Sequence, residues 1–276
     1  KPYGLILISG PTGCGKTTTL HSVLRELNSG DRKIWTAEDP IEITQPGLCQ
    51  VQVNSRIGWT FAAAMRTFLR ADPDVVMIGE MRDEETARIA IEASLTGHLV
   101  LSTLHTNSAA ESIARLLEMG MDPFNFSDSL LAVLAQRLVR RLCPSCKRRE
   151  LARPEEVEQM ALEYQRSAHE DVSAASTEAL LARWRHAHGD AQGQLWLHRK
   201  VGCKACDDRG YKGRMGIHEL LVSNDDIRHL IRHRGSAAEI LSKALSAHML
   251  TIRQDGIEKV WQGLTDLSEV LAASNT

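Results

Sequence analysis

No stretch of the 276-residue sequence approaches the ~20 apolar residues needed to span a bilayer, and no secretory leader is read in it. Any membrane association is therefore expected to run through a partner. The sequence also lacks an excess of charge: 33 lysines and arginines stand against 35 acidic residues, a net charge of -2, with a pI near 6.6. That balance argues against a protein whose main task is to grip a nucleic-acid backbone. There is no internal repeat and no low-complexity tract, and 43% apolar with 25% charged residues excludes a disordered chain. The first residue is Lys1 and not methionine, so a piece of a longer protein is expected. Six cysteines without a leader point to a reducing compartment, the cytoplasm by default, where C-x2-C pairs mean metal or redox chemistry before disulfides.

The strongest positive signal is Gly10-Pro11-Thr12-Gly13-Cys14-Gly15-Lys16-Thr17, which satisfies the phosphate-loop spacing G-x-x-x-x-G-K-[ST]. Residues 5–8 before it form a short apolar run suited to a buried parallel strand, and residues 17–27 after it read as a helix. In that setting backbone N–H groups converge on phosphate oxygens and the helix N-terminus adds its positive dipole end. Lys16 reaches the β and γ phosphates, and the Thr17 hydroxyl is offered to Mg2+. Gly10 through Thr17, with Thr18, are the candidate ATP/ADP site.

Through residue 142 short apolar runs alternate with amphipathic stretches, which predicts an α/β fold with a parallel sheet covered by helices on both faces. Strands are expected at 5–8, 33–37, 75–78 and 99–102, with smaller ones near 51–53 and 138–142. Helices are expected at 17–27, 60–70, 83–94, 108–119 and 123–136. Residues 153–193 read as one or two surface helices inserted between the two cysteine pairs. After Gly216 apolar residues recur at helical spacing, and Thr265 is expected to cap a last helix through Leu271. The expected segments are a nucleotide-binding core over 1–142, a tetracysteine module with helical insert over 143–215, and a C-terminal strand and helical subdomain over 216–276.

Carboxylates lie where hydrolysis needs them. Val75-Val76-Met77-Ile78-Gly79-Glu80 is a buried strand ending in an acid, the Walker B arrangement that sets a carboxylate beside Mg2+ and the attacking water; capping of the next helix is the alternative. Glu38-Asp39-Pro40-Ile41-Glu42 follows another strand, at the carboxyl ends where ligands gather in open α/β sheets. Glu38 and Glu42 are candidate general bases, with Pro40 fixing the turn between them, against a plain acidic turn. His98 and His105 bracket a third buried strand, with Thr103, Thr106 and Asn107 nearby, and are candidate sensors of the γ-phosphate or of Glu80. Arg66, Arg70 and Arg82 are candidates for phosphate or intersubunit contacts, against ordinary surface salt bridges.

Cys143-Pro144-Ser145-Cys146 and Cys203-Lys204-Ala205-Cys206 are two C-x2-C knuckles separated by 56 residues. Four thiolates close a tetrahedral Zn2+ site, which is structural because no position is left for substrate. That the two knuckles share one ion is inferred across a long insert, a redox pair or free thiols being the alternative. The basic residues Arg137, Arg140, Arg141, Lys147, Arg148 and Arg149 around the first knuckle read as a solvated face or subunit contact before a polyanion site. Cys14 is expected to be alkylated in a way that nucleotide protects against, and Cys49 to be a buried small hydrophobe.

Taken in order, Gly10 to Thr19, Glu38-Asp39-Pro40-Ile41-Glu42, Asp72-Pro73-Asp74 with Gly79-Glu80-Met81-Arg82-Asp83, and Thr96-Gly97-His98 with Leu104-His105-Thr106-Asn107 resemble the Walker A, Asp, Walker B and His boxes of the secretion traffic ATPases. With the knuckles and Gly216-Ile217-His218-Glu219-Leu220-Leu221 the resemblance covers most of the chain outside the insert. The tetracysteine element resembles the type II secretion (GspE-type) and type IV pilus assembly branches and is unlike the pilus retraction branch. The resemblance implies a RecA-like P-loop NTPase core with a tetracysteine zinc-knuckle module and a C-terminal helical subdomain. It implies Mg2+-dependent ATP hydrolysis and favours Glu42 as the catalytic carboxylate with Glu80 supporting Mg2+ and water; Lys16, Glu38, His98, His105 and Arg82 remain the further catalytic candidates read from the residues. One structural Zn2+ per chain on Cys143, Cys146, Cys203 and Cys206 belongs to the same picture. So does a cytoplasmic homo-hexamer, peripheral at the inner membrane through a platform protein and accessory secretion or pilus proteins, that extrudes pilin-like subunits. The resemblance also implies an N-terminal domain that covers nucleotide and contributes arginines. This chain is accordingly expected to bind nucleotide and hydrolyse it weakly, since arginine stabilisation of phosphoryl transfer is worth about 10³ or more in rate. Two other functions fit the same motifs: a nucleic-acid motor of the same fold, and a non-catalytic scaffold that uses ATP only to order its interfaces.

Overall fold

Strands such as Val75-Val76-Met77-Ile78, buried at all four positions, are stable only inside a sheet covered on both faces. The computed structural model, which describes residues 2–168 and 174–275, contains that sheet. The strands are β1 (Gly4–Ser9), β2 (Ile34–Glu38), β3 (Cys49–Gln52), β4 (Val75–Ile78), β5 (Leu99–Leu104), β6 (Leu130–Leu142), β7 (Arg148–Leu151), β8 (Trp196–Arg199) and β9 (Tyr211–Val222). Seven of them form one sheet in the order β3-β2-β4-β5-β1-β6-β9, and β7 and β8 form a separate antiparallel pair. β1 runs parallel to β5 and β6, β4 parallel to β2 and β5, and β2 parallel to β3. The carboxyl ends of β1 and β4 therefore open on the same edge, with β5 between them. Two strand spacings separate them, about 10 Å.

The helices are α1 (Lys16–Leu27), α2 (Phe61–Phe68), α3 (Glu84–Leu95), α4 (Ala109–Glu118), α5 (Pro123–Ser129), α6 (Pro154–Ser167), α7 (Ala174–His188), α8 (Asp225–Arg232), α9 (Ala237–Ser246), α10 (Ile252–Trp261) and α11 (Leu267–Ser274). Side-chain caps define most of their starts: Thr60, Asp83, Ser108 and Asp122 each accept from the backbone N–H three residues on. Among the described residues no helix is long and apolar enough to cross a membrane.

The chain forms two compact units. The first comprises Lys1–Gln136 and Leu220–Met249. One of its cores joins the inner face of α1 (Leu20, Leu24) to Ile8, Ile34, Val75, Met77, Leu99 and Leu101 of the sheet. Here α8 packs on α5 and α9 on α4, and Arg232 donates to Ser127 Oγ (2.9 Å) and Asp128 Oδ1 (2.6 Å). The second comprises Arg137–Glu219 and Leu250–Thr276. Its core gathers Met160 and Tyr164 from α6, Trp184 from α7, Leu197 from β8, Ile257, Val260 and Trp261 from α10, and Val270 from α11. Tyr164 meets Trp184 edge-on at 5.4 Å between ring centroids, and the indole N–H of Trp184 donates to Glu258 Oε1 (3.0 Å).

Several expectations change. The insert over 153–193 supplies core to the second unit, with Trp184 fully buried, because Met160, Tyr164, Leu180 and Trp184 line the inner faces of α6 and α7. The division between units also groups the C-terminal residues differently from the expected segments 1–142, 143–215 and 216–276: α8 and α9 pack on α5 and α4, while α10 and α11 complete the second core. The helix expected at 123–136 ends at Ser129, and Leu130–Leu142 is a strand beside β1. Its Leu/Ala/Val pattern satisfies either period, and pairing with β1 decides it. The last helix is capped by Asp266, whose side chain accepts from Glu269 N; Thr265 is buried and donates to the Arg140 carbonyl (2.9 Å). Cys49 is exposed, since β3 is the outermost strand of the sheet.

In the second unit Glu156 accepts from Arg199 Nη2 (2.7 Å) and from Arg153. The Arg199 hydrogen bond, aided by Arg153, holds its carboxyl well below the usual 4.5, at about 2. A carboxyl lowered on folding stabilises the fold above its unfolded value and loses that contribution as pH falls through the folded one. Glu156→Gln is therefore expected to lower the thermal midpoint at neutral pH. It is also expected to flatten the fall of the midpoint between pH 4.5 and about 2; an acid limb identical to that of the parent chain contradicts this.

Candidate functional site

At the carboxyl end of β1 the chain turns through Gly13 (φ 79°) and Gly15 (φ 89°), left-handed conformations that favour glycine. Gly15 is the N-cap of α1, and no side chain caps the helix there. The first-turn N–H groups of α1 thus face the loop, which is where an anion is bound at a helix start. The Lys16 ammonium is buried and donates to the carbonyls of Gly10 (2.7 Å) and Pro11 (3.1 Å), which curls the loop around its own cation. Pro11, Thr12, Gly13 and Thr18 are exposed, and Thr17 is half-buried. Cys14, expected to be alkylated in a way that nucleotide protects against, is only 4% exposed.

Gln136, on β6, braces this loop: its Nε2 donates to the Cys14 carbonyl (2.6 Å) and its Oε1 accepts from Thr19 Oγ1 (2.7 Å). The sequence pattern alone does not assign it this role, since the helix expected over 123–136 would simply end on it. A polar amide within the apolar run 130–136 is the available signal.

The acids divide into two settings. Glu80 follows β4 and has both carboxylate oxygens engaged: Arg82 Nε donates to Oε2 (2.6 Å), and His105 Nε2 lies 3.0 Å from Oε1. The turn beneath is pinned to β5 by Thr103 Oγ1 on the Gly79 carbonyl (2.6 Å) and by Met81 N on the Thr103 carbonyl (3.0 Å). Glu80, Arg82 and His105 are therefore brought together on the edge that carries the phosphate loop. Glu38, 3% exposed, is turned inward: Oε2 accepts from His21 Nε2 (3.0 Å), and Oε1 from Thr36 Oγ1 (2.6 Å) and Gln50 Nε2 (2.9 Å). With all these bonds made, Glu38 is not placed to take a proton from water. Glu42 is exposed, and its side chain makes no hydrogen bond or ion pair among the described residues.

His98 does not join the cluster. It precedes β5, about 20 Å along the strand from His105, and its Nδ1 lies 2.9 Å from the Ala93 carbonyl. Thr106 Oγ1 shares a hydrogen bond with Ser112 Oγ (2.6 Å), and Asn107 N donates to Glu111 Oε2 (2.9 Å), so both serve the start of α4. Arg66 pairs with Glu85 on the surface.

In the second unit the four expected cysteines converge, with all four sulfurs within 4.8 Å of one another. Sγ–Sγ distances are 3.9 Å for Cys143–Cys203, 3.9 Å for Cys146–Cys206 and 3.8 Å for Cys203–Cys206. Four thiolates at about 2.3 Å from a tetrahedral Zn2+ stand roughly 3.8 Å apart, so the donor set and its spacing fit that ion. The backbone N–H groups of Cys203 and Gly210 each donate to Cys206 Sγ (3.3 Å), supporting sulfur as a thiolate. Three of the surrounding cations are engaged within this unit. Arg140 bonds Glu269 (2.5 Å) and stacks over Tyr211, Arg149 stacks over Trp196, and Lys147 donates to the Gly263 carbonyl (2.6 Å).

Among known proteins, the family described as Type II/IV secretion system protein matches residues 1–272. The type II secretion system protein E of Pectobacterium carotovorum is 48% identical over 271 residues, 98% of this chain and 48% of that protein. The type IV pilus assembly ATPase PilB of Thermus thermophilus is 48% identical over 272 residues, 99% of this chain and 28% of that protein. The chain thus spans about half the length, or less, of these relatives. Among solved structures, the pilus retraction motor PilT with bound ADP superimposes with a TM-score of 0.67 at 28% identity, over 100% of this chain and 62% of that one. The Legionella pneumophila ATPase DotB, at 23% identity, shares the fold with a TM-score of 0.63 over 99% of this chain and 60% of that one.

If Gln136 braces the phosphate loop, Gln136→Leu leaves the buried Cys14 carbonyl without that donor, a cost of about 1–3 kcal/mol. Titration with a fluorescent ADP analogue is expected to show roughly tenfold weaker binding, the equivalent of about 1.4 kcal/mol. Affinity within about twofold of the parent chain would remove the brace.

Proposed function

Because the chain belongs to the Type II/IV secretion system protein family, we propose that it is the ATP-hydrolysing region of a type II secretion or type IV pilus assembly motor. The observation that carries this reading is the shared sheet edge, where the phosphate loop after β1 lies beside the Glu80–Arg82–His105 cluster after β4 and β5. Gly10 to Thr18 form the nucleotide cradle, and Lys16 exchanges the carbonyls of Gly10 and Pro11 for phosphate oxygens. Bound Mg2+ would supply charge neutralisation across the phosphates, with Thr17 and Glu80 as its protein contacts. Glu42 is the general base, since it is exposed and uncommitted where Glu38 is buried and fully bonded. Arg82 and His105 orient Glu80 and are placed to change partner when the phosphate state changes.

The four cysteines hold one structural Zn2+ that ties the two knuckles of the second unit together. In the intact machine the motor works as a homo-hexamer in the cytoplasm, peripheral at the inner membrane through platform and accessory proteins, and its cargo is pilin-like subunits. Relatives from both branches are equally similar, so the reading covers either.

Loss of a general base costs typically 10²–10⁴ in rate. Glu42→Gln is expected to slow ATP turnover by about 10² or more while the dissociation constant for nucleotide stays within about twofold. Undiminished turnover would instead favour a scaffold that only binds ATP. Elemental analysis of carefully reduced protein is expected to find one zinc per chain, removed by Cys203→Ser with a lower thermal midpoint; zinc well below one per chain sinks the shared site.

A further inference from the structure

A closed circuit of hydrogen bonds lies within the first unit where α1 meets the carboxyl ends of β2 and β3. His21 Nε2 donates to Glu38 Oε2 (3.0 Å), and Gln50 Nε2 donates to Glu38 Oε1 (2.9 Å). Gln50 Oε1 accepts from the backbone N–H of Gln45 (2.8 Å), and Gln45 Nε2 donates to the carbonyl of His21 (2.7 Å), which closes the ring. The second amide hydrogen of Gln50 goes to the Ile43 carbonyl (2.8 Å). His21, Glu38 and Gln45 are 2%, 3% and 8% exposed, so these bonds are sheltered from water, where each is electrostatically stronger and costlier to leave unmade.

The placement of the Gln50 amide is specific. Its two hydrogens hold Glu38, just before the acidic segment 39–42, and Ile43, just after Glu42. Its oxygen holds Gln45, two residues further on. Residues 39–48 form no helix or strand of their own, so no backbone ladder fixes Glu42; side-chain bonds from β3 do. The ring then ties the same segment to α1, whose first residues are Lys16 and its neighbour Thr17.

We propose that Gln50 is a positioning residue for Glu42, and that the ring through His21, Glu38 and Gln45 holds that carboxylate at a set place relative to the phosphate loop. The inference rests on the reading of Glu42 as the general base. Displacing a reacting group by about 1 Å can cost 10²-fold in rate without any loss of ligand contacts, and that split between turnover and binding distinguishes positioning from a general loss of structure.

The test uses the whole chain and Gln50→Leu, Glu42→Gln and the double variant, assayed for ATP turnover, fluorescent-ADP affinity and amide hydrogen exchange of residues 39–48. Gln50→Leu is expected to lower kcat by about tenfold to 10²-fold, leave ADP affinity within about twofold, speed exchange in that segment, and cost nothing further in the Glu42→Gln background. Should the leucine variant fold poorly, Gln50→Met removes the same three bonds on an unbranched stem and carries the same expectation. An unchanged kcat, a loss of affinity as large as the loss of kcat, or losses that multiply in the double variant each overturn the proposal. If Glu42→Gln alone leaves turnover unchanged, the assignment of Glu42 falls, and the clamp by Gln50 stands or falls on the exchange result.

Discussion

Hydrogen bonding of β1 on both sides, to β5 and to β6, is the constraint from which the site follows. A strand held by two parallel neighbours cannot slide without breaking both ladders, so the loop that leaves its carboxyl end starts from a fixed point. Lys16 and the glycine turn are set by that point, and Gln136 on β6 reaches back to brace the same loop. β5 in turn separates β1 from β4 and carries Thr103, which pins the turn before Glu80. The phosphate-loop motif and Glu80 thus share one sheet edge because of strand order and parallel strand direction.

Two glutamates only four residues apart have opposite fates for a physical reason. Glu38 still belongs to β2 and points into the space beside α1, where a bare carboxylate would be costly; His21, Thr36 and Gln50 satisfy it. Glu42 has left the strand and faces solvent. The buried acid is committed to its hydrogen bonds, and the exposed one keeps its oxygens free.

The second unit solves a separate problem. Its pair of short strands, β7 and β8, is joined by an aromatic cluster of Tyr164, Trp184 and Trp261 at one place and by four converging sulfurs between the end of β6 and the start of β9 at another. Trp184, with its indole N–H on Glu258, shows why the stretch between the knuckles cannot be a surface ornament.

Much of the site is legible in the amino-acid sequence. The spacing of Gly10, Gly15, Lys16 and Thr17, the apolar run into Glu80, and the two C-x2-C pairs are local patterns, and local backbone rules are enough to place a phosphate loop, a strand-end acid and two cysteine knuckles. Other features are not legible there because they depend on partners distant along the chain. Leu130–Leu142 is a strand only because β1 lies beside it, and His98 falls at the wrong end of β5 because parallel pairing fixes strand direction. Glu38 is withdrawn from chemistry because His21 and Gln50, 17 and 12 residues away, converge on it. Sequence by itself determined which chemistry the chain carries, since those motifs are encoded by neighbours along the backbone. Tertiary structure alone decided which acid is free, which histidine reaches Glu80 and which amides hold the loops, since hydrogen-bond partners are chosen in space.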